Sequence, residues 1–192
     1  MKKGLLILIA LVMPLLLTAC GSGDEEKNSD AASNLKLFET EEASMKYPSN
    51  FEILTPKDFT VEVPVGTVVA FRNTVRNDEF TANISVVKVH LPEEKTSLDY
   101  AKGLLAKHAR ELVNFKEIKR TDTKIKTGIG EFDSLFMYFS GKEKPDGDNL
   151  EFLQTSVVKV KTAYIVTGAF LPGEDEGVKK IIEESINTFE VK

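Results

Sequence analysis

The sequence predicts an α+β fold in which a sheet packs against helices, and two observations lead to this prediction. Between Ala43 and Lys192, several runs place apolar residues at every second position or in continuous blocks, which is typical of strands. Two other segments, at about residues 97–115 and 174–189, repeat their apolar residues every three or four positions, as amphipathic helices do. We therefore expect an αβα-type sandwich whose central, largely antiparallel sheet has about six or seven strands.

The chain begins with a segment that is typical of an export signal. Lys2 and Lys3 precede an apolar run over residues 4–17, which is shorter than the ~20 residues that a membrane-spanning helix needs. A positive start followed by a short apolar run predicts a cleaved signal peptide.

The end of this run resembles the lipobox of bacterial lipoproteins, because Leu17, Thr18 and Ala19 precede Cys20. The resemblance implies that residues 1–19 are removed and that the thiol of Cys20 receives a lipid. Two or three acyl chains anchor a protein stably, whereas one chain binds only marginally. The location implied is extracytoplasmic: the outer face of the cytoplasmic membrane, or the periplasmic face of the outer membrane in a Gram-negative source.

A polar segment follows the anchor. Residues 21–34 contain no large apolar side chain and mix Gly, Ser, Asp, Glu and Asn, so they cannot bury enough surface to fold. We predict that residues 20–42 are the lipidated cysteine and a flexible tether, and that residues 43–192 form one domain. The end of the tether, which includes Leu35 and Phe38, could instead dock on the domain or begin it.

The first half of the domain predicts three strands and a helix. The strands are expected at residues 44–47, 67–72 and 83–91, where short apolar runs end at prolines or polar loops. Ser97 is predicted to be the N-cap of the helix, with Asp99 in its first turn and Phe115 near its end.

The second half predicts four strands and a closing helix. The strands are expected at residues 116–125, 131–140, 151–160 and 163–171. The first is polar and therefore predicts an edge strand, whereas the continuous apolar run at 135–139 predicts a central strand that is covered on both faces. The acidic residues Glu174, Asp175 and Glu176 suit the positive end of the helix dipole and begin the last helix.

The order of these elements and several local sequences resemble the PsbP-like domain, also called the Mog1/PsbP/DUF1795 fold. The sequences that carry the resemblance are SMKYPSNF (44–51), ANISVV (82–87), SLDYA (97–101), AYIVT (163–167) and NTF (187–189). The resemblance covers about residues 43–191 and implies a non-enzymatic docking or binding module. Phe51 stands where this family commonly has Trp.

The composition excludes several classes of function. With one Cys and two His, the chain can form neither an internal disulfide framework nor a Cys/His zinc site. The formal net charge of −5 becomes −7 once Lys2 and Lys3 are removed, which argues against binding to nucleic acid. No cofactor is expected. The expected partners are the membrane, through the lipid on Cys20, and a protein of the cell envelope.

Oxygen ligands of a calcium type occur at Asp146, Asp148 and Glu151. They do not follow the EF-hand pattern, since Gly147 comes second, and Asp and Gly also suit a hairpin turn. We therefore favour a turn and predict no metal site. His108 lies on the apolar stripe of its helix and is predicted to be a packed, hydrogen-bonded residue rather than a metal ligand.

Ser156 and Lys159 match the S-x-x-K pattern of penicillin-binding enzymes. In a strand, this odd spacing sends the two side chains to opposite faces, so no catalytic residue is predicted.

These observations favour a lipid-anchored, extracytoplasmic and non-catalytic binding or docking module of the PsbP-like type. The alternative is a lipoprotein that binds a small ligand or calcium, and a hydrolase is a third, more distant alternative. A concave pocket lined by Phe132, Phe136, Tyr138 and Tyr164 would favour the small-ligand alternative.

Overall fold

The computed structural model describes residues 34–60 and 63–192, which form one ten-stranded sheet with two α-helices. The strands are β1 (Leu35–Glu39), β2 (Ala43–Pro48), β3 (Phe51–Leu54), β4 (Thr67–Asn73), β5 (Asn83–His90), β6 (Val113–Thr127), β7 (Gly130–Lys142), β8 (Leu150–Lys159), β9 (Thr162–Phe170) and β10 (Glu190–Val191). The helices are α1 (Ser97–Glu111) and α2 (Glu176–Ile186), and a single 3-10 turn covers Pro56–Asp58. The fold is thus α+β, as predicted.

The strands lie side by side in the order β1-β2-β10-β6-β7-β8-β9-β5-β4-β3. Every neighbouring pair is antiparallel except β10 and β6, which are parallel. The sheet is therefore mixed, although antiparallel pairing dominates it.

The two helices cover opposite faces of the sheet. On one face, Ala101 and Leu105 of α1 pack in a buried cluster with Leu135, Met137 and Phe139 of β7. Alternate residues of that strand point the other way, because side chains alternate along a strand. The continuous apolar run of β7 therefore serves two cores.

The core on the other face is built around α2. Ile182 and Ile186 are buried against β9, where a glycine allows the helix to come close. A Cβ atom added at Gly168 would lie 2.3 Å from Cγ2 of Ile182 and 3.2 Å from Cδ1 of Ile186. Close packing between α2 and β9 thus requires glycine at this position.

The sheet is larger than the predicted six or seven strands, because β1, β3 and β10 were missed. Strand β10 has only two residues, and β3 has four. Strand β1 is a half-exposed edge strand that pairs with β2 from Leu35↔Pro48 to Glu39↔Ser44. Leu35–Glu39 therefore belong to the sheet, as in the alternative that the end of the tether begins the domain.

The seven predicted strands are confirmed, most of them to within one or two residues at each end. Strand β6 is longer than expected, and its predicted edge position is confirmed for most of its length. Only Lys126 and Thr127 pair with β10, so the preceding residues have β7 as their one neighbouring strand.

Both helices are shorter than predicted. The N-cap of α1 is Thr96 rather than Ser97, since Oγ1 of Thr96 accepts a 3.0 Å hydrogen bond from the backbone N–H of Asp99. This helix ends at Glu111 because its C-cap, Leu112, is already extended (φ −81°, ψ 133°) and leads directly into β6. Helix α2 covers Glu176–Ile186 rather than 174–189, with Asp175 as its N-cap.

Candidate functional site

The ten-stranded sheet curls, and its first strand approaches strands from its opposite end. The Phe38 ring of β1 meets the Phe71 ring of β4 edge-on, with ring centroids 5.3 Å apart. Tyr47 of β2 stacks on the same ring at 4.8 Å. These contacts bury Phe71 completely and hold the two ends of the sheet together.

A cleft of about 340 Å³ lies beside this contact, where β1 turns into β2. Its walls are mainly apolar and come from β1, β2, β4, β5, β9 and the segment after α2. The lining residues are Phe38, Thr40, Glu41, Glu42, Ala43, Ser44, Met45, Val68, Val69, Val86, Tyr164 and Phe189. This volume is at the lower end of the range for ligand sites in proteins, which extends from about 300 to 1,000 Å³.

An ion pair crosses one side of the cleft. The Nζ atom of Lys88 donates to both carboxylate oxygens of Glu42, at 2.5 and 2.7 Å. The hydroxyl of Tyr164 donates to the same carboxylate at 3.4 Å, and the Lys88 ammonium lies 5.9 Å from the centroid of the Tyr164 ring. We call these three residues the clasp, because they connect the β1–β2 turn to β5 and β9.

The clasp shifts the pKa of each of its members. The hydrogen bond from Lys88 holds the pKa of the Glu42 carboxyl below its ordinary value, and the same bond raises the pKa of Lys88. Burial, together with the charge of Glu42, raises the pKa of Tyr164. At neutral pH, the clasp is therefore an anion, a cation and a neutral phenol.

Glu41 lies next to Glu42 in the chain, but the charged groups around the two carboxylates differ. Glu41 lines the cleft and is exposed, but within residues 34–60 and 63–192 no basic side chain lies within salt-bridge distance of it. The charged groups lining the cleft are thus the carboxylates of Glu41 and Glu42, and the ammonium of Lys88 lies beside the cleft, bonded to Glu42.

His108 is packed and hydrogen-bonded, as predicted. Its ring stacks on Phe139 with centroids 4.8 Å apart, and Nε2 lies 3.0 Å from Oε1 of Gln154. The side-chain amide of Gln154 in turn donates to Oγ1 of Thr167 at 2.8 Å. Burial lowers the pKa of His108, although the bond to Gln154 opposes this effect.

The three calcium-type residues do not converge. Asp146 and Asp148 lie in the exposed loop between β7 and β8, whereas the Glu151 carboxylate in β8 accepts a hydrogen bond from the Tyr138 hydroxyl. Burial and this hydrogen bond raise the pKa of Tyr138. In the part of the chain that the structure describes, no three His, Cys, Asp or Glu residues are placed to hold a metal ion.

The S-x-x-K residues lie on opposite sides of β8, as the strand geometry predicts. Ser156 is completely buried, whereas Nζ of Lys159 at the end of the strand donates to the backbone carbonyl of Lys192. The two side chains cannot act together.

The predicted lipidation site lies outside the described residues, and so do Leu17, Thr18 and Ala19 beside Cys20. Among the residues that are described, no helix is both long enough and apolar enough to cross a membrane.

The cleft is not evident from the sequence. Of the four aromatic residues whose convergence in a pocket would favour the small-ligand alternative, only Tyr164 lines the cleft, whereas Phe132, Phe136 and Tyr138 pack against the core on the α2 side. The apolar Leu35, Leu37 and Phe38 of the β1 segment are a local signal, but the sequence leaves open whether this segment docks on the domain or begins it. The clasp and the curl join residues that are far apart in sequence, so no local pattern reveals them.

Comparisons with known proteins identify the fold but no family. Neither a family model nor a curated protein sequence matches the chain. Solved structures do match, and they include three with TM-scores above 0.5.

One match is the cyanobacterial PsbP protein CyanoP from Synechocystis, which has 15% sequence identity, a TM-score of 0.54, and coverage of 92% of this chain and 99% of its own. Another is LpqN of Mycobacterium tuberculosis, which is involved in cell envelope biogenesis; it has 12% identity, a TM-score of 0.56, and coverage of 78% and 83%. A Pseudomonas aeruginosa protein of unknown function has 16% identity, a TM-score of 0.53, and coverage of 81% and 95%. The chain therefore has a PsbP-like fold, and similarity at these identities extends to the fold alone.

Proposed function

We propose that this chain is a bacterial lipoprotein that is anchored through Cys20, lies outside the cytoplasm and binds another protein of the cell envelope. In this proposal the domain catalyses no reaction: it is a binding module that the lipid holds at the membrane surface.

The anchor and the location are supported by the sequence. Leu17, Thr18 and Ala19 stand before Cys20 at the end of a short apolar run, which is the arrangement that the lipoprotein signal has. The fold is also that of LpqN, a protein involved in cell envelope biogenesis. An envelope role for this chain agrees with both observations.

The cleft is the observation that carries the binding role. Its apolar side chains include Val68, which is 40% exposed, and Phe38, which is only partly buried. Exposed apolar surface that forms a concave site and is rimmed by polar groups is typical of a binding site. The clasp holds the β1–β2 turn in place, so the cleft is formed before any partner arrives.

A small apolar ligand is a second candidate for the same cleft. Its volume of about 340 Å³ is sufficient for a compact ligand, and the hydroxyl and charges of the clasp would orient it.

Photo-crosslinking in intact cells tests the binding role. A photoreactive amino acid at Val68 lies on the cleft, whereas the same group at Val75, beyond the far end of β4, lies roughly 20 Å away. Val75 is a matched control because it is also an exposed valine. We expect one crosslinked envelope protein from position 68 and none from position 75.

Two results would contradict the binding of a protein partner at the cleft. Identical crosslinks from both positions, or none from position 68, would remove the cleft as a protein-binding site. If position 68 crosslinks only to a species of low mass, the small-ligand candidate replaces the protein partner.

The anchor is tested separately. The Cys20→Ser variant should lose incorporation of an alkyne-labelled fatty acid and should no longer be processed and retained at the membrane as the parent chain is. Unchanged labelling in this variant would refute lipidation at Cys20.

A further inference from the structure

We propose that the cleft recognises a basic peptide segment, in which an apolar side chain enters the cleft and a neighbouring Lys or Arg contacts the carboxylates at its rim. The proposal rests on the proposed function, since it specifies the chemistry of the partner that the cleft binds.

The charge at the rim of the cleft favours a cationic ligand. The ammonium of Lys88 is already engaged by both oxygens of Glu42, so this pair has little net charge to offer a ligand. Glu41 remains, exposed and without a basic side chain within salt-bridge distance among the described residues. The ammonium of Lys192 also lies at this turn, but it is engaged by Glu39 at 2.7 Å and by the carbonyl of Thr40 at 2.5 Å. The lining of the cleft is therefore negative overall and complements a cation.

An ammonium group already lies beside the cleft, in contact with two of its lining residues. Lys88 lies 5.9 Å from the centroid of the Tyr164 ring and bonds to a carboxylate beside it. This combination of aromatic face and carboxylate is favourable for Lys and Arg side chains. An incoming basic residue would find a free carboxylate at Glu41, next to the Glu42 carboxylate and the Tyr164 ring that already hold Lys88.

The walls of the cleft are apolar and favour an apolar side chain. Val68, Val69 and Val86 form one wall, and Phe38 and Phe189 contribute aromatic surface. These groups gain from contact with an apolar side chain, but they offer no partner for a buried charge. The cleft thus selects a segment in which apolar and basic residues alternate or lie next to each other.

The same charges disfavour anionic occupants. A lipid phosphate or a fatty-acid carboxylate at the rim would face Glu41 and Glu42, and it could use Lys88 only by breaking the clasp. Like charges brought together at an interface suppress binding of the wrong partner. A peptide is favoured over an anionic membrane surface for this reason.

The experiment measures peptide binding to the full chain in phosphatidylcholine nanodiscs by fluorescence anisotropy. Three labelled peptides share the same Val and Phe residues and differ only at two positions, which carry Lys, Gln or Glu. We expect the Lys peptide to bind roughly fivefold more tightly than the Gln peptide at low ionic strength, with the Glu peptide weakest. Added salt should reduce the difference.

Variants locate the effect. Glu41→Gln should remove most of the preference for Lys, whereas Glu143→Gln, which neutralises an exposed glutamate in the β7–β8 loop, should preserve it. Val68→Arg fills the apolar wall with a cation and should abolish binding of all three peptides. Both Glu41 and Val68 are exposed, so the variants are expected to keep the thermal transition of the parent chain, which is measured in parallel.

Three results would overturn the proposal. These are equal affinity for the three peptides, tighter binding of the Glu peptide, and a Lys preference that survives Glu41→Gln. If no peptide binds but Val68 still crosslinks to an envelope protein in cells, the peptide chemistry is wrong and the proposed function stands. If neither peptide binding nor a crosslink from position 68 is seen, the proposed function fails as well. Self-association of the chain, detected by light scattering and abolished by Val68→Arg, would identify a second copy as the occupant instead.

Discussion

The two faces of the sheet differ in whether their polar groups are buried or exposed to solvent. On the α1 face, His108, Gln154 and Thr167 form a chain of hydrogen bonds, and Gln154 is only 4% exposed. On the α2 face, the curl leaves a cleft whose charged groups remain exposed to solvent. Groups that satisfy each other in the interior are available for stability alone, whereas exposed groups above apolar walls are available to a partner.

The largest effect is expected where α2 meets the sheet. Gly168→Val places a branched side chain where a single Cβ would already lie 2.3 Å from Ile182, so we expect destabilisation of about 3 kcal/mol in denaturant unfolding. In the exposed part of α1, Gly103 has no atom within 4 Å of an added Cβ. Gly103→Ala should therefore stabilise the protein by about 0.5–1 kcal/mol. A small effect at Gly168 would refute the close packing of α2 on β9.

The next effect tests the buried network on the α1 face. Gln154→Ala leaves His108 and Thr167 without their partner, and we expect a loss of about 2 kcal/mol in the free energy of unfolding. The double variant His108→Phe, Gln154→Leu replaces polar groups with apolar ones and should recover much of that loss. A double variant that is less stable than Gln154→Ala would contradict this prediction. It would show that apolar side chains cannot replace the hydrogen-bonded groups at these positions.

A smaller effect is the pH dependence of this network. Burial lowers the pKa of His108, so below the ordinary value of 6.5 the unfolded chain binds a proton that the folded protein excludes. Stability should therefore fall as the pH decreases from about 7 to 5. Thermal unfolding should show that His108→Gln reduces this dependence, whereas His90→Gln preserves it. An unchanged profile in His108→Gln would show that the imidazole is not protected from solvent.

The smallest effect on stability is expected at the clasp. Lys88→Met removes the ion pair to Glu42, but both side chains are at least a third exposed, so the loss should be only roughly 0.5 kcal/mol. The local effect should be larger than the global one, because the clasp holds the β1–β2 turn. Amide hydrogen exchange in residues 40–43 should accelerate while exchange in α1 is unchanged. Equal protection of the turn in both proteins would show that the clasp does not hold the cleft.

The fold class and the interior strands could be predicted because their signals are local. The apolar runs of β7, β8 and β9 and the periodicity of the two helices identify those elements without any long-range information. Strands β1, β3 and β10 are short or half-exposed, so their sequences resemble loops. They form strands because of the partners that they pair with.

The candidate site could not be predicted for a related reason. The His108 contact was foreseeable, since its place on an apolar stripe indicates packing. The cleft instead depends on the curl, which brings Glu42 to Lys88 and Tyr164 across long stretches of chain. Such a site depends on tertiary structure, and neither composition nor spacing records it.

The most direct test of the central claim is cysteine labelling in living cells. Cys20 is the only cysteine of the chain, and if it is lipidated a newly introduced thiol is the one reactive site. We compare Val68→Cys and Val75→Cys, using a maleimide that does not cross the cytoplasmic membrane. We expect the cysteine at position 75 to be labelled in cells, and the one at position 68 to be protected there but labelled after purification. Equal labelling of both positions in cells would contradict an occupied cleft, and labelling of neither before cell lysis would contradict an extracytoplasmic domain.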